Sequence, residues 1–192
     1  TADGVNIGTG AARTTVAGNR IGTNADGTAA LGNGGGVYVN NASGTIVGGT
    51  STNARNVISG NRICGVCFQD PTTTNSTVQG NYIGTNAAGT AAIPNLRFGV
   101  IILGASGTQV GGTAANTRNV ISGNVESGVD VREAGATNTR IQGNYIGTNV
   151  AGTGSLSVTH CGFGSGTMAN VSGDVSLVAT GGYIDTGTVI YP

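Results

Sequence analysis

The sequence predicts an all-β protein, a parallel β-solenoid of about six three-strand coils without an N-terminal cap. Three observations predict it. A motif recurs about every 31 residues, short apolar segments alternate with period two, and glycine supplies 37 of the 192 residues while charged residues supply 8% and tryptophan is absent. Such a composition does not suit a core of large side chains around helices, whereas stacked coils can be built from small β-branched residues.

The first repeated element is the motif Thr/Ser-x-Val/Ile-x-Gly-Asn/Thr, which begins at residues 14, 45, 76, 108 and 139, with a degenerate copy at 169–174. Its central apolar residues, 30 to 32 residues apart, are expected to stack in one inward column. That column comprises Val16, Val47, Val78, Val110, Ile141 and Val171. The motif's last residue predicts a ladder of side-chain amides from coil to coil. Its members are Asn19, Asn81 and Asn144, with Thr50 and Thr113 expected to fill the same column in the coils between.

A second element, Gly-Val followed by an apolar residue two positions on, starts at residues 4, 36, 65, 99 and 128. Alternation of apolar and variable positions is typical of a strand with one buried face. The residues expected to point inward are Val5, Ile7, Val37, Val39, Val66, Phe68, Val100, Ile102, Val129 and Val131. Those expected to point outward are Asn6, Tyr38, Cys67, Ile101 and Asp130.

The third element alternates between two forms, so the true repeat is a pair of coils about 63 residues long. Even coils carry NVISGN at 56–61 and 119–124, whereas odd coils carry an eleven-residue phrase such as GNYIGTNAAGT at 80–90. An apolar residue follows each phrase, at Leu31, Ile93 or Leu156. Glycine and asparagine suit the corners because both tolerate positive φ. The phrase does not predict a phosphate loop, since it contains no lysine and begins no helix.

These phrases, NVISGN, GNYIGTN and Gly-Val-x-apolar, resemble the repeats of right-handed parallel β-helix proteins that bacteria secrete or display on their surface. More distantly, they resemble the pectate-lyase-like superfamily. The resemblance covers residues 4–174 and implies a right-handed solenoid, in agreement with the usual hand of parallel crossovers. We therefore expect solenoid repeats over 1–174 and a divergent C-terminal cap or inter-subunit segment over 175–192.

The β-helix enzymes that this resemblance brings to mind cleave polysaccharides with clustered carboxylates. No two acids of this chain are adjacent in sequence, and one group alone draws attention: Asp130, Arg132 and Glu133 in ESGVDVRE. As a surface site it would bind or cut a sugar, with Arg132 as the cation and Asp130 as the base. As structure it is a solvated ion-pair cluster, which is the favoured interpretation. His160 is the only histidine, so neither a catalytic triad nor a metal site is predicted.

The three cysteines permit one local disulfide. Cys64 and Cys67 would pair if the corner between them is tight, although a fully extended segment would hold them too far apart. Cys161 is expected about three coils away from Cys64, and is therefore either free or intermolecular.

Charge and hydropathy limit the partners. Eight arginines balance eight acids, so no basic excess favours nucleic acid, and the longest apolar run, at 100–103, is too short to enter a membrane. A polar, uncharged composition favours a secreted protein, and a start without methionine or signal peptide indicates a mature or excised chain. The first strand begins near Thr1, which predicts an open solenoid end. We expect a non-enzymatic structural protein, without cofactor or metal, that joins copies of itself head to tail into an extracellular or cell-surface filament. The alternative is a polysaccharide-binding or polysaccharide-cleaving β-helix.

Overall fold

The computed structural model describes residues 2–154 and 156. Within that range the chain forms three parallel sheets of five strands each and a single 3-10 turn at Thr52–Ala54, which confirms the parallel β-solenoid. No helix in this range is long and apolar enough to cross a membrane.

Each sheet takes one strand from every coil. Sheet 1 contains β1 (Val5–Ile7), β4 (Val37–Asn40), β7 (Cys64–Gln69), β10 (Phe98–Leu103) and β13 (Ser127–Arg132). Sheet 2 contains β2 (Thr15–Val16), β5 (Ile46–Gly48), β8 (Thr77–Gln79), β11 (Gln109–Gly111) and β14 (Arg140–Gln142). Sheet 3 contains β3 (Arg20–Ile21), β6 (Val57–Ile58), β9 (Tyr82–Ile83), β12 (Val120–Ile121) and β15 (Tyr145–Ile146).

Five strands per sheet make five coils, and four turns separate the first coil from the fifth. The expected number was about six. The degenerate sixth copy at 169–174 and the divergent segment at 175–192 lie outside the described residues, as does Val171.

The stacking register is the one that the repeat predicts. In sheet 2, Val16 pairs with Val47, and the same column continues through Val78 and Val110 to Ile141. All five residues of that column are buried, because each coil places the same side chain under the corresponding one of the next. The core is therefore a bundle of like-on-like columns rather than an interlocked set of unlike side chains.

The inward residues of sheet 1 join this core, although Val5 at the first coil is only partly buried. The outward row differs from expectation. Cys67 and Ile101 belong to a second apolar cluster, together with Cys64 and Phe98, and all four are buried. The outer face of sheet 1 is therefore not a fully solvated surface.

Corners are made by residues with positive φ, as predicted. The corner before sheet 2 has φ between 54° and 66° in every coil. Its residues are Arg13, Gly44, Asn75, Gly107 and Asn138. Only Arg13 is a residue type that this backbone conformation disfavours, since glycine and asparagine adopt it at low cost.

A close approach between sheets 1 and 3 explains the glycine that precedes each sheet 1 valine. A Cβ on Gly99 would lie 2.6 Å from Ile121 Cγ2 and 2.5 Å from the carbonyl oxygen of Gly128. In each of the four other coils, a Cβ on the equivalent glycine would meet the equivalent isoleucine in the same way. Glycine is therefore required because there is no room for a Cβ, and not because the backbone φ is positive.

Replacing Gly99 by alanine should lower the free energy of unfolding by about 1–3 kcal/mol, because the added methyl group overpacks this contact. Gly8→Ala is the matched control: its nearest atom, Asn6 Oδ1, is 3.8 Å away. That variant should lie within about 0.5 kcal/mol of the parent. Urea unfolding followed by circular dichroism measures both, and equal losses would contradict the packing argument.

Candidate functional site

The charged group predicted at the end of β13 is only partly assembled. Arg132 donates from Nε to Asp130 Oδ1 at 2.8 Å and from Nη2 to Oδ2 at 2.6 Å. Asp130 is 1% exposed, whereas the Arg132 side chain is 46% exposed. The hydrogen bonds from Arg132 to this carboxylate raise the pKa of the guanidinium above its ordinary value. Both oxygens of Asp130 are therefore occupied, and the pair is not the solvated cluster that the sequence favoured.

Glu133 is not part of this pair. It follows β13 at a corner with φ of 72°, and its carboxylate lies against Gly104 of the preceding coil. The structure instead adds an arginine that the sequence analysis missed. Arg97 pairs with Glu126 at 2.8 Å, and both side chains are nearly half exposed.

Both guanidinium groups lie over the ring of Phe98, Arg97 at 4.7 Å and Arg132 at 5.2 Å from its centroid. Stacking of this kind stabilises the cation on the aromatic face. Arg97 and Phe98 lie about thirty residues before β13 in the sequence, and the pairing of Phe98 with Ser127 brings them together. The coil repeat was the signal that could have found them.

The chemistry of this group is limited. A general base needs a free carboxylate within reach of a substrate proton, but Asp130 is buried and bound in a bidentate pair. Across residues 2–154 and 156, no three His, Cys, Asp or Glu side chains are grouped so as to hold a metal ion. His160 lies outside that range. Asp130, Arg132 and Glu133 as a binding surface stay a prediction.

Replacing Arg132 by glutamine leaves a buried carboxylate without its cation. We expect the free energy of unfolding to fall by about 2–3 kcal/mol, and the double variant with Asp130→Asn to recover most of that loss. Glu126→Gln breaks an exposed ion pair of the same face and should cost below about 1 kcal/mol. Denaturant unfolding of the four proteins tests the assignment. It fails if Arg132→Gln costs no more than Glu126→Gln.

The predicted asparagine ladder is present, but its even members differ from the expectation. Asn81 donates from both its backbone N and Nδ2 to Asn119 Oδ1, at 3.0 and 3.1 Å. Asn119 makes the same two bonds to the next member. The full column is Asn19, Asn56, Asn81, Asn119 and Asn144.

Thr50 and Thr113 do not fill this column, and both are exposed. In the even coils the chain makes a longer arc after sheet 2, and Asn56 or Asn119 enters the column from the start of NVISGN instead. This buried position suits a side-chain amide, because the residue there must both donate a hydrogen bond to one neighbouring coil and accept one from the other.

A second ladder runs parallel to the first and was missed. Asn61 donates from its backbone N and Nδ2 to Asn95 Oδ1, at 3.1 and 3.0 Å, and Asn95 donates onward to Asn124 at 2.9 Å. Asn33 begins this column by donating to Asn61. The last residue of NVISGN was the available signal, but its partners in odd coils lie beyond the phrase and share no motif with it.

Asn119→Leu should lower the free energy of unfolding by at least about 3 kcal/mol, because it leaves the buried Asn81 backbone N–H without its acceptor and removes the amide that donates to the Val78 carbonyl and to Asn144. Asn19→Leu is the control, since Asn19 occupies the same column but is exposed at the first coil. It should cost below about 1 kcal/mol. Thermal and urea midpoints of the two variants decide, and similar losses would show that the ladder is not a buried network.

The eleven-residue phrase of the odd coils forms a strand, a corner and a small hairpin. In the second copy, Asn86 Oδ1 closes the hairpin by accepting from the backbone N of Thr90 at 2.9 Å and of Ala91 at 3.3 Å. Successive hairpins touch each other across the intervening even coil: Ala87 N donates to the Gly27 carbonyl at 2.9 Å. The third copy repeats this contact, since Val150 N donates to the Gly89 carbonyl at 2.9 Å. Each hairpin is thus two coils high, which explains why the sequence repeats in pairs of coils.

Arginines of the even coils cover the tyrosines of these phrases. Arg55 lies 4.2 Å from the ring centroid of Tyr82, and Arg118 lies 4.1 Å from that of Tyr145. Their Nε atoms also donate to the carbonyl oxygens of Gly80 and Gly143, at 3.3 and 3.0 Å. Each of these arginines therefore holds an even coil against the odd coil that follows it.

A disulfide joins Cys64 and Cys67, whose Cα atoms are 6.1 Å apart. Both cysteines lie within β7 rather than at the corner before it, and the start of this strand is bent enough for the local pairing that the sequence left open. Cys161 lies outside the described residues.

The N-terminal face of the stack consists of the free sides of β1, β2 and β3, with Asn19, Leu31 and Asn33. Each of these three strands pairs with a described strand on one side only. Leu31 is 68% exposed, whereas the equivalent Ile93 in coil 3 is 7% exposed.

No protein-family model matches this chain, and comparisons with curated proteins and with solved structures find no match either.

Proposed function

We propose that this protein is a secreted structural β-solenoid that associates head to tail with copies of itself into an extracellular fibre or surface filament. The observation that carries the proposal is the N-terminal face, where the edges of three parallel sheets lie side by side. Unpaired strand edges are templates for another chain, and three coplanar edges offer far more backbone hydrogen bonds than one.

Backbone groups on this face are oriented for pairing. In coil 2, Ile46 N donates to the Thr14 carbonyl and Val57 N donates to the Asn19 carbonyl, both at 2.8 Å. The corresponding N–H groups of coil 1 belong to Thr15 and Arg20, and neither has a partner among the described residues. They point to the side on which a preceding coil would lie.

Secretion is supported by composition and by the disulfide. Disulfides persist in oxidising compartments and are rare in the cytosol. The polar, uncharged composition and the resemblance to secreted and surface-displayed bacterial repeats agree with that location.

Polysaccharide binding is the second candidate. The exposed Arg97–Glu126 pair beside Arg132 offers charged groups on rigid strands, which suit sugar hydroxyls. Cleavage has less support because Asp130 is held by Arg132. Retention of the parent protein on a panel of immobilised polysaccharides, with Arg132→Gln beside it, tests this candidate; equal or absent retention removes its support.

Thr15→Pro tests the end-to-end association. Proline deletes an N–H that has no partner within the described fold, so the variant should fold and yet fail to associate. Thr15→Val keeps the N–H and should associate like the parent. Sedimentation velocity over a range of concentrations and negative-stain microscopy measure the outcome.

Thermal unfolding of Thr15→Pro shows whether the monomer is intact, and Thr77→Pro marks the cost of losing an internal bond, the 2.8 Å contact from Thr77 N to the Thr45 carbonyl. Dispersed parent monomers at high concentration, or association unchanged in Thr15→Pro, would overturn the proposal.

A further inference from the structure

We propose that the corner between sheets 1 and 2 encloses a ladder of bound water molecules, held by a column of buried hydroxyl groups. Asparagine ladders join the coils at the other two corners. Among the described residues, no buried asparagine lies at this third corner. Its hydroxyl column consists of Thr45, Ser76 and Thr108, which begin the repeated motif in coils 2, 3 and 4.

These hydroxyl groups point into the core. Thr45 and Val47 are completely buried, whereas Ile46 between them is 37% exposed, so the alternation of side chains turns Thr45 inward. Ser76 and Thr108 repeat this placement and are 0% and 1% exposed. The column therefore lies beside the inward valines of sheet 2 and is closed to bulk solvent.

The three residues are stacked in successive coils. Thr77 N donates to the Thr45 carbonyl and Gln109 N donates to the Ser76 carbonyl, both at 2.8 Å. Equivalent atoms of stacked parallel strands are about 4.8 Å apart. That spacing is too long for a direct bond between two hydroxyls, but it fits two bonds of about 2.8 Å that meet at one water oxygen near the tetrahedral angle.

None of these three hydroxyls has a hydrogen-bond partner among the described residues. Buried hydroxyls are usually satisfied by protein groups or by ordered water, because an unpaired one costs free energy. The next member of the column, Thr139, donates to the Ala136 carbonyl at 3.3 Å. In coils 2 and 3 the equivalent carbonyls, those of Ala42 and Thr73, accept instead from backbone N–H groups of the following coil, both at 3.1 Å.

Coil 4 leaves a second polar atom of this corner without a partner. Ala105 is completely buried, and no hydrogen bond from a described residue reaches its carbonyl oxygen. The backbone N–H that the repeat would bring to it belongs to Thr137, which donates to the Gly135 carbonyl of its own coil at 2.7 Å. A water molecule beside Thr108 can donate to this carbonyl.

Small side chains leave room beside the hydroxyls. The position three residues before the hydroxyl is Ala42, Ala105 or Ala136 in coils 2, 4 and 5, and all three are buried. In coil 3 it is Thr73, whose own hydroxyl is satisfied by the Gln69 carbonyl at 2.6 Å. Polar groups together with this space are what a bound water requires.

The ladder contains three water molecules. One lies between Thr45 and Ser76, one between Ser76 and Thr108, and one between Thr108 and the Ala105 carbonyl. Water both donates and accepts, so it joins successive coils here as the side-chain amides do at the other corners. The site lies inside a single chain and does not depend on association between copies.

A crystal structure of the parent, at a resolution that shows ordered water, tests the ladder directly. We expect three density peaks, each within about 2.5–3.0 Å of a hydroxyl oxygen of the column. In solution, water magnetic relaxation dispersion counts the long-lived internal molecules. That count should fall in Thr108→Val and should be kept in Thr108→Ser, which retains the hydroxyl and is the residue type already present in coil 3.

The unfolding midpoint of Thr108→Val adds a test by sign. The substitution replaces the hydroxyl by a methyl group of similar size. If water binds there, its loss leaves the Ala105 carbonyl unpaired, and the urea midpoint should fall. If the hydroxyl is simply unpartnered, the added methyl group should raise the midpoint. Thr77→Val is the matched control: its partly exposed side chain lies on the outer face of sheet 2, so the midpoint should hardly change.

Absence of density at all three positions would overturn the ladder. So would a raised midpoint in Thr108→Val, or an internal water count that Thr108→Val leaves unchanged. Density at the three positions in the parent and in Thr108→Ser, with loss of the peaks around Thr108 in Thr108→Val, would establish it.

Discussion

Buried backbone groups around two corners of each coil take hydrogen-bond partners from the coils above and below, and the two asparagine ladders supply them. A side-chain amide solves this problem with one residue per coil, since it offers both a donor and an acceptor. Asn81, for example, binds the coil after it through Asn119 and the coil before it through the Val47 carbonyl.

The ladders also fix the register on which the apolar columns depend. A shift of one residue between coils would separate the amides and would move the sheet 1 valines away from the core. The glycine before each valine imposes the same register from another direction, because only a glycine tolerates the isoleucine of sheet 3 at that distance. Hydrogen bonding, shape and hydrophobic burial therefore all specify one stacking arrangement.

The sequence predicted this fold well where the constraint acts at every coil. Period two and a spacing of about 31 residues identified the columns from Val16 to Ile141, because stacked coils repeat the same demand at the same interval. Prediction failed where the same position in the stack is filled from different parts of the sequence in odd and even coils. Thr50 lay at the correct offset within its motif, but the longer arc of coil 2 puts Asn56 into the column instead. The contacts of Arg97 with Glu126 and of Phe98 with Arg132 were missed because side chains from adjacent coils meet on the outer face without sharing a motif. The burial of Asp130 was likewise not readable from a segment with four charges.

The two ladders share one direction, and this gives the whole stack a polarity. Between successive coils of both ladders the earlier asparagine donates from Nδ2 and the later one accepts at Oδ1, from Asn19 to Asn144 and from Asn33 to Asn124. The ladders are therefore polar: their first members, Asn19 and Asn33, turn their side-chain oxygens to the N-terminal face, beside the backbone N–H groups of Thr15 and Arg20. A linear array of such units has a direction along its axis. Two arrays that met through their N-terminal faces would place asparagine side-chain oxygens against each other. Lengthening at one tip would then proceed at a different rate from lengthening at the other, as in any filament whose subunits all face the same way.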